Sequence, residues 1–144
     1  MSGVPVAVGD SVSFRKTVGE SDVYLFAGIT GDLSANHVDE QAMQASSYGR
    51  RIAHGVLLVG FMSTCSTRMI EQAPPTPDAT AVSLGYDRIR FLAPVFIGDT
   101  VQLAYTIAEI DPARRRSRAR IEATNQHGTL VAVAEHILKW VPNG

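Results

Sequence analysis

A carboxylate and an imidazole stand close together in "ITGDLSANHVDEQA" (residues 29–42): Asp32, then small and mostly polar side chains, then His37. Such a pair can share one water molecule, take a proton from it and deliver a proton elsewhere. Residues five apart on a continuous helix point about 140° away from each other, so the two side chains meet only if the segment is a loop. The plain alternative is that Asp32 caps a turn and His37 lies on a surface loop. A second stretch, "GRRIAHGVLLVGFMS" (49–63), places His54 and Gly55 where a loop turns into an apolar helix. A helix start offers unpaired N–H groups and a positive dipole end, and a glycine there lets a ligand approach the backbone closely. The Gly55 N–H is therefore a candidate donor to an oxyanion developing on a carbonyl. An ordinary helix start with glycine chosen for packing accounts for the same residues.

The elements that must position these groups are legible from periodicity. Residues 54–70, "HGVLLVGFMSTCSTRMI", are hydrophobic over most of a helix circumference, which predicts burial on all sides. At 17 residues, with Arg68 inside, the segment is too short and too polar for a membrane span. It is expected as a central helix wrapped by a sheet, stopped by the Pro-rich "QAPPTPD" at 72–78. Upstream, residues 9–18 read as a turn and a strand. Ser21 is expected to cap a helix over roughly 22–29 that ends near Gly31, where a residue free to take positive φ suits the exit. A second short helix is expected from Asp39 to about Ala45. Downstream, residues 80–95, 99–110, 114–125 and 128–140 carry strand patterns, separated by turn chemistry at Gly98-Asp99, Asp111-Pro112 and Asn125 to Gly128. Short turns favour an antiparallel meander, and helices segregated from such a sheet make the class α+β.

Bulk properties narrow the partners. A chain of 144 residues is expected to form one domain over 1–144, with 45% hydrophobic and 19% charged residues typical of a folded protein. The net charge of −1 provides no global field for nucleic acid or an anionic membrane. The single Cys65 cannot form an internal disulfide, and "MSGVPVAVGDSV" has no basic region followed by a long apolar run, so the cytoplasm is the expected compartment. His54, His127 and Cys65 lack metal-ligand spacing, so no metal is expected.

Together, in this order and spacing, the two motifs strongly resemble the MaoC-like (R)-specific enoyl-CoA hydratase family, which has the hot-dog fold. The family pattern Gly-Asp-x-Asn-Pro-x-His-x-Asp, followed after a short helix by an apolar-His-Gly helix start, is met by Gly31, Asp32, His37, Asp39, His54 and Gly55. The likeness continues into "FLAPVFIGDTV" (91–101) and covers nearly the whole chain. It implies an antiparallel sheet around a long helix, and addition of water across a 2-enoyl thioester, or its reverse, without metal or organic cofactor. It implies that Asp32 and His37 hold and activate the water, that Gly55 donates to the thioester oxygen, and that Ser63 supports the carboxylate. A serine in a buried helix also commonly bonds back to its own helix. The chain departs from the pattern at Asn-Pro, which is replaced by Ser34-Ala35, with Asn36 just after. This removes a fixed φ and a loop hydrogen bond, and bears on rate and substrate preference more than on reaction type.

The substrate implied is a thioester of coenzyme A or of acyl carrier protein, with His54 among the substrate-binding residues. Arg114, Arg116, Arg118 and Arg120 alternate, which on a strand puts all four on one face. Such a row is either a solvated face or an anchor for the phosphates of coenzyme A. No aromatic residues interleave it, which disfavours nucleic acid. One copy of the fold leaves an edge strand open, and open edges tend to be covered. A homodimer is therefore expected, with sites at the subunit junction as the resemblance implies. A thioesterase on the same fold and a non-catalytic acyl-thioester binding module remain the alternatives.

Overall fold

Between Thr100 and Pro142 the chain alternates inward and outward side chains and forms three consecutive antiparallel strands: β3 (Thr100–Asp111), β4 (Arg116–Thr124) and β5 (Leu130–Pro142). On β4 the inward set is Ser117, Ala119, Ile121 and Ala123, all buried. These strands form the expected meander. The structure, a computed structural model, describes residues 3–144. The other elements are β1 (Ser11–Thr17), α1 (Glu20–Thr30), α2 (Ala35–Val38), α3 (Glu40–Gln44), α4 (Gly55–Gln72) and β2 (Ala79–Phe91). The five strands lie in the order β1-β3-β4-β5-β2, and every pairing is antiparallel. The hot-dog arrangement and the α+β class expected from the sequence are both present.

Gly98-Asp99 does not close a hairpin. β2 pairs with β5 at one edge while β3 lies two strands further in, so the chain leaves the ladder after Phe91 and crosses as a strap over residues 92–99. That strap is tied on both sides. Leu92 N–H donates to Val131 O (2.8 Å), Ala53 N–H to Val95 O (2.7 Å), and Val18 N–H to Asp99 O (2.8 Å).

Two further expectations are corrected. Ser21 is not the cap of α1: the cap is Gly19 in an extended conformation, and the Asp22 carboxylate accepts from the Gly19 N–H at 2.8 Å. A carboxylate at the third helical position thus reaches back to the N–H of the cap residue itself, a donor the first turn leaves unpaired. Gly31 ends the helix at φ 81°, as its freedom to adopt the left-handed region suggested. The second correction concerns α4, which is buried on one side only. Leu58, Phe61, Met62, Cys65 and Met69 are buried in one core with the inward side chains of the sheet, and the helix lies nearest β1 and β3. Val56 (57% exposed), Gly60, Ser63 and Thr67 form an outward stripe. Small side chains on that stripe blurred the difference between the two faces.

Candidate active site

The loop after α1 and the single turn of α2 bring Asp32 and His37 to the N-terminal end of α4. α2 takes a helical turn where the pattern suggested loop, but the chain is not continuously helical from 32 to 37, as the pairing requires. His37 is 9% exposed, and its Nδ1 lies 2.7 Å from the Ile52 carbonyl oxygen. A carbonyl only accepts, so Nδ1 carries the proton and Nε2 of the neutral ring is left with its lone pair. His54 takes the opposite tautomer for the same reason. Its Nε2 donates to the Asp32 main-chain oxygen at 3.0 Å, which leaves the buried Nδ1 without a partner. The two imidazoles stack with centroids 3.7 Å apart and planes 26° off parallel, and Phe26 packs against His54 at 4.7 Å.

Asp32 itself is exposed. Its carboxylate, His37 and His54 each bring a side-chain N or O atom within 4.8 Å of the others. Three such groups invite a metal reading, but stacked rings point their in-plane lone pairs side by side. They do not converge at the metal–nitrogen distance of about 2 Å, and one nitrogen of each ring is committed to a carbonyl. The geometry suits a held water better than a held ion.

Beside this cluster lies a cavity of about 310 Å³, mostly apolar, lined by His37, Tyr48, Gly55, Leu58, Phe91 and the strap residues 92–95 among others. Gly55 opens α4, and its N–H has no acceptor among the described residues. A side chain there would crowd the cavity wall: a Cβ would sit 2.8 Å from the Phe91 ring. His37 and the Gly55 backbone thus face one cavity, with Asp32 next to the imidazole.

The remaining sequence candidates lie elsewhere. His54 is 1% exposed and does not line the cavity, so its expected contact with substrate is replaced by its hold on the Asp32 main chain. Ser63 makes no contact with Asp32. It stands on the outward stripe of α4 and bears on Tyr86, whose phenol burial pushes up and the Ser63 hydroxyl draws partly back. Arg114 is in the turn before β4, tied to Asp111 (3.3 Å), so three arginines and not four share the strand face. That face is the outer one, opposite the buried residues of β4. Arg118 is held by Asp87 and Glu135 at 2.9 Å each, and Arg120 by Glu122 at 3.3 Å. Arg114, Arg116 and Arg118 border a separate cavity of about 200 Å³ with Glu109 and Asp111, and none of them lines the His37 cavity. Their role as a phosphate anchor for a thioester in that cavity is not supported by the fold. Cys65 is buried, which pushes its thiol up to about 11 and keeps it protonated at neutral pH. Sequence reasoning missed Tyr48, Phe91 and Ile52. For Ile52 no signal existed, since it acts through a carbonyl that every residue has.

A small antiparallel sheet packed on one long helix is the hot-dog arrangement, here with an imidazole and a helix-start N–H lining an apolar cavity and a carboxylate beside the imidazole, a candidate site for a carbonyl compound. The sequence profile of the MaoC-like domain matches residues 4–129, and the chain belongs to that family. It is 41% identical over 108 residues to the (R)-specific enoyl-CoA hydratase of Rhodospirillum rubrum, covering 74% of this chain and 69% of that protein. It is 37% identical over 136 residues to the 3-hydroxybutyryl-CoA dehydratase of Methylorubrum extorquens, covering 94% of this chain and 80% of that one. The solved (R)-hydratase of Aeromonas caviae superposes with a TM-score of 0.82 at 24% identity, covering 93% of this chain and 96% of that chain, a likeness of fold.

Proposed function

We propose that this protein, as one catalytic domain over residues 1–144, adds water across the double bond of a trans-2-enoyl-CoA to give the (R)-3-hydroxyacyl-CoA, and catalyses the reverse dehydration. The observation that carries the reading is the 2.7 Å contact of His37 Nδ1 with the Ile52 carbonyl oxygen, which fixes the tautomer. The ring proton is held on Nδ1, so Nε2 is free to accept a proton beside the Asp32 carboxylate. A water held by the two groups loses a proton as its oxygen bonds to C3. The electrons of the double bond move towards the thioester oxygen, which takes a hydrogen bond from the Gly55 N–H, and a proton returns at C2. Fixing the water on one side and the oxygen on the other exposes one face of the double bond. The relatives in Rhodospirillum rubrum and Methylorubrum extorquens support coenzyme A as the carrier and (R) as the configuration. We place the protein in the cytoplasm: its one cysteine is a buried thiol, and among the described residues no helix is long and apolar enough to cross a membrane.

The working unit we assign is a homodimer with sites at the junction. Support comes from two surfaces that one copy leaves uncovered, the free edge of β2 with Leu84, Phe91 and Leu92 exposed, and the outward stripe of α4. Phe91 and Leu92 also line the cavity, so a partner laid along that edge completes its wall.

Incubation with crotonyl-CoA tests the reaction. Loss of the conjugated-thioester absorbance with (R)-3-hydroxybutyryl-CoA as the product by chiral chromatography, and only trace thiol release, is the expected result. A racemic or (S) product breaks the assignment of roles, and stoichiometric release of free coenzyme A makes the protein a thioesterase.

A further inference from the structure

The acceptor that fixes the His37 tautomer is itself held by a residue outside the cavity. Arg51 and Ile52 form three bonds to α2 within one dipeptide. The Ile52 N–H donates to Asn36 O (3.0 Å), the Ile52 carbonyl accepts from His37 Nδ1 (2.7 Å), and Arg51 Nη1 donates to His37 O (3.4 Å). The Arg51 side chain is 11% exposed and reaches three elements at once. Nε and the backbone N–H point to Glu40 of α3, at 2.7 and 3.4 Å; Nη2 bonds Glu20 of α1; and Nη1 also meets the Tyr24 hydroxyl at 3.2 Å. The guanidinium fork satisfies two carboxylates on different helices, a geometry an ammonium does not reproduce. With α1 and α3 clamped to residue 51, the next carbonyl cannot turn away from α2 without breaking the clamp. Pairing with both glutamates also raises the Arg51 pKa, so the charge persists at any working pH.

We propose that Arg51 is a positioning residue that sets the His37 tautomer, holding the 51–52 dipeptide against α2 so that the Ile52 carbonyl takes the Nδ1 proton and Nε2 stays free to act as base. Arg51 does not line the cavity and touches no reacting atom. The rate arm of the test rests on the hydratase reading, while the tautomer arm does not.

The experiment uses the full chain labelled with ¹⁵N-histidine, because two-bond ring correlations distinguish Nδ1–H from Nε2–H. The wild type is expected to show His37 as a single Nδ1–H tautomer. In Arg51→Ala that pattern gives way to a mixture or to Nε2–H, and kcat for crotonyl-CoA falls about 10- to 100-fold while KM stays within about threefold. Arg51→Lys recovers part of both readouts. If Arg51→Ala does not fold, the Glu20→Gln/Glu40→Gln variant, which loosens the clamp and leaves Arg51 in place, is read in the same way with the same shift expected. Retention of the Nδ1–H pattern in whichever of these variants folds overturns the proposal, as does a loss confined to KM. A wild type without hydratase activity but with the expected tautomer shift on mutation leaves the positioning role standing and removes only the reaction.

Discussion

His37 and His54 are stacked neighbours with opposite tautomers, each decided by one main-chain carbonyl. In the proposed reaction the first is the base, while the second ties the Asp32 main chain to the start of α4. If Asp32 and His37 act on one water, Asp32→Asn and His37→Gln each lower the hydration rate by roughly 10²- to 10⁴-fold, and the double variant is little worse than either single one. Steady-state kinetics on the three proteins check this, and additive losses count against a shared water. Gly55 gives a steric prediction. An added Cβ meets the Phe91 ring at 2.8 Å, and the overlap is relieved only if that side chain shifts. Such a shift comes at the expense of the cavity that Phe91 lines. Gly55→Ala is therefore expected to raise KM about tenfold with little loss of stability, because the overpacking cost of about 1–3 kcal/mol is relaxed and alanine favours a helix by up to about 1 kcal/mol. Combining it with Phe91→Ala should remove the added effect of the methyl group, measured as a double-mutant cycle in KM and Tm.

At the scale of elements, α4 and the sheet enclose a polar group that the reaction does not use. His136 of β5 is fully buried, with Tyr105 Oη 2.8 Å from Nδ1, Ser83 Oγ 2.7 Å from Nε2, and Tyr86 stacked on the ring at 4.4 Å. Burial lowers its pKa to about 4 from 6.5, so the folded protein keeps it neutral where the unfolded chain protonates it. The unfolded state then binds more protons between those values, and stability falls as pH drops from 6.5 towards 4, by on the order of 3 kcal/mol from this group. Asp22 does not act in that window. Burial raises its pKa, but the Gly19 N–H and Lys16 outweigh burial and hold it below 3.8, so its contribution is lost only at lower pH. Urea unfolding at pH 7 and pH 4.5 should therefore show a fall that is shallower in His136→Gln. Equal slopes in the two proteins would refute a neutral His136.

At the scale of the molecule, the 13-residue β2 has one ladder edge free, flanked by exposed Leu84 (46%), Phe91 and Leu92. Unpaired, apolar edges of this length invite a partner, and α4 adds a stripe at Val56, Gly60, Ser63 and Thr67 where only small side chains would obstruct a second copy. Sedimentation at micromolar concentration should give a dimer. Gly60→Arg, placed on the stripe and away from the Asp32–His37 cluster, is expected to yield folded monomers with most activity lost. A wild-type monomer that is fully active would refute both the assembly and the shared site.

What was legible in the sequence was local. The β3–β5 meander, the existence of α4, and the left-handed turn at Gly31 each follow from periodicity or turn chemistry within a few residues, and the Asp32, His37 and Gly55 motifs pointed to the cluster the fold assembles. The tertiary structure decided what depends on distant partners. Pairing of β2 with β5, up to 63 residues apart in sequence at Ala79 and Pro142, makes residues 92–99 a strap that crosses to β3 and walls the cavity, with the turn at Gly98-Asp99 at its far end. The strand period correctly put Arg116 and Arg118 on one face, but only the position of α4 on the opposite side removed them from the site. The decisive contact, the Ile52 carbonyl on His37 Nδ1, left no trace in residue type, because a main-chain acceptor is the same at every position and only tertiary packing aims this one.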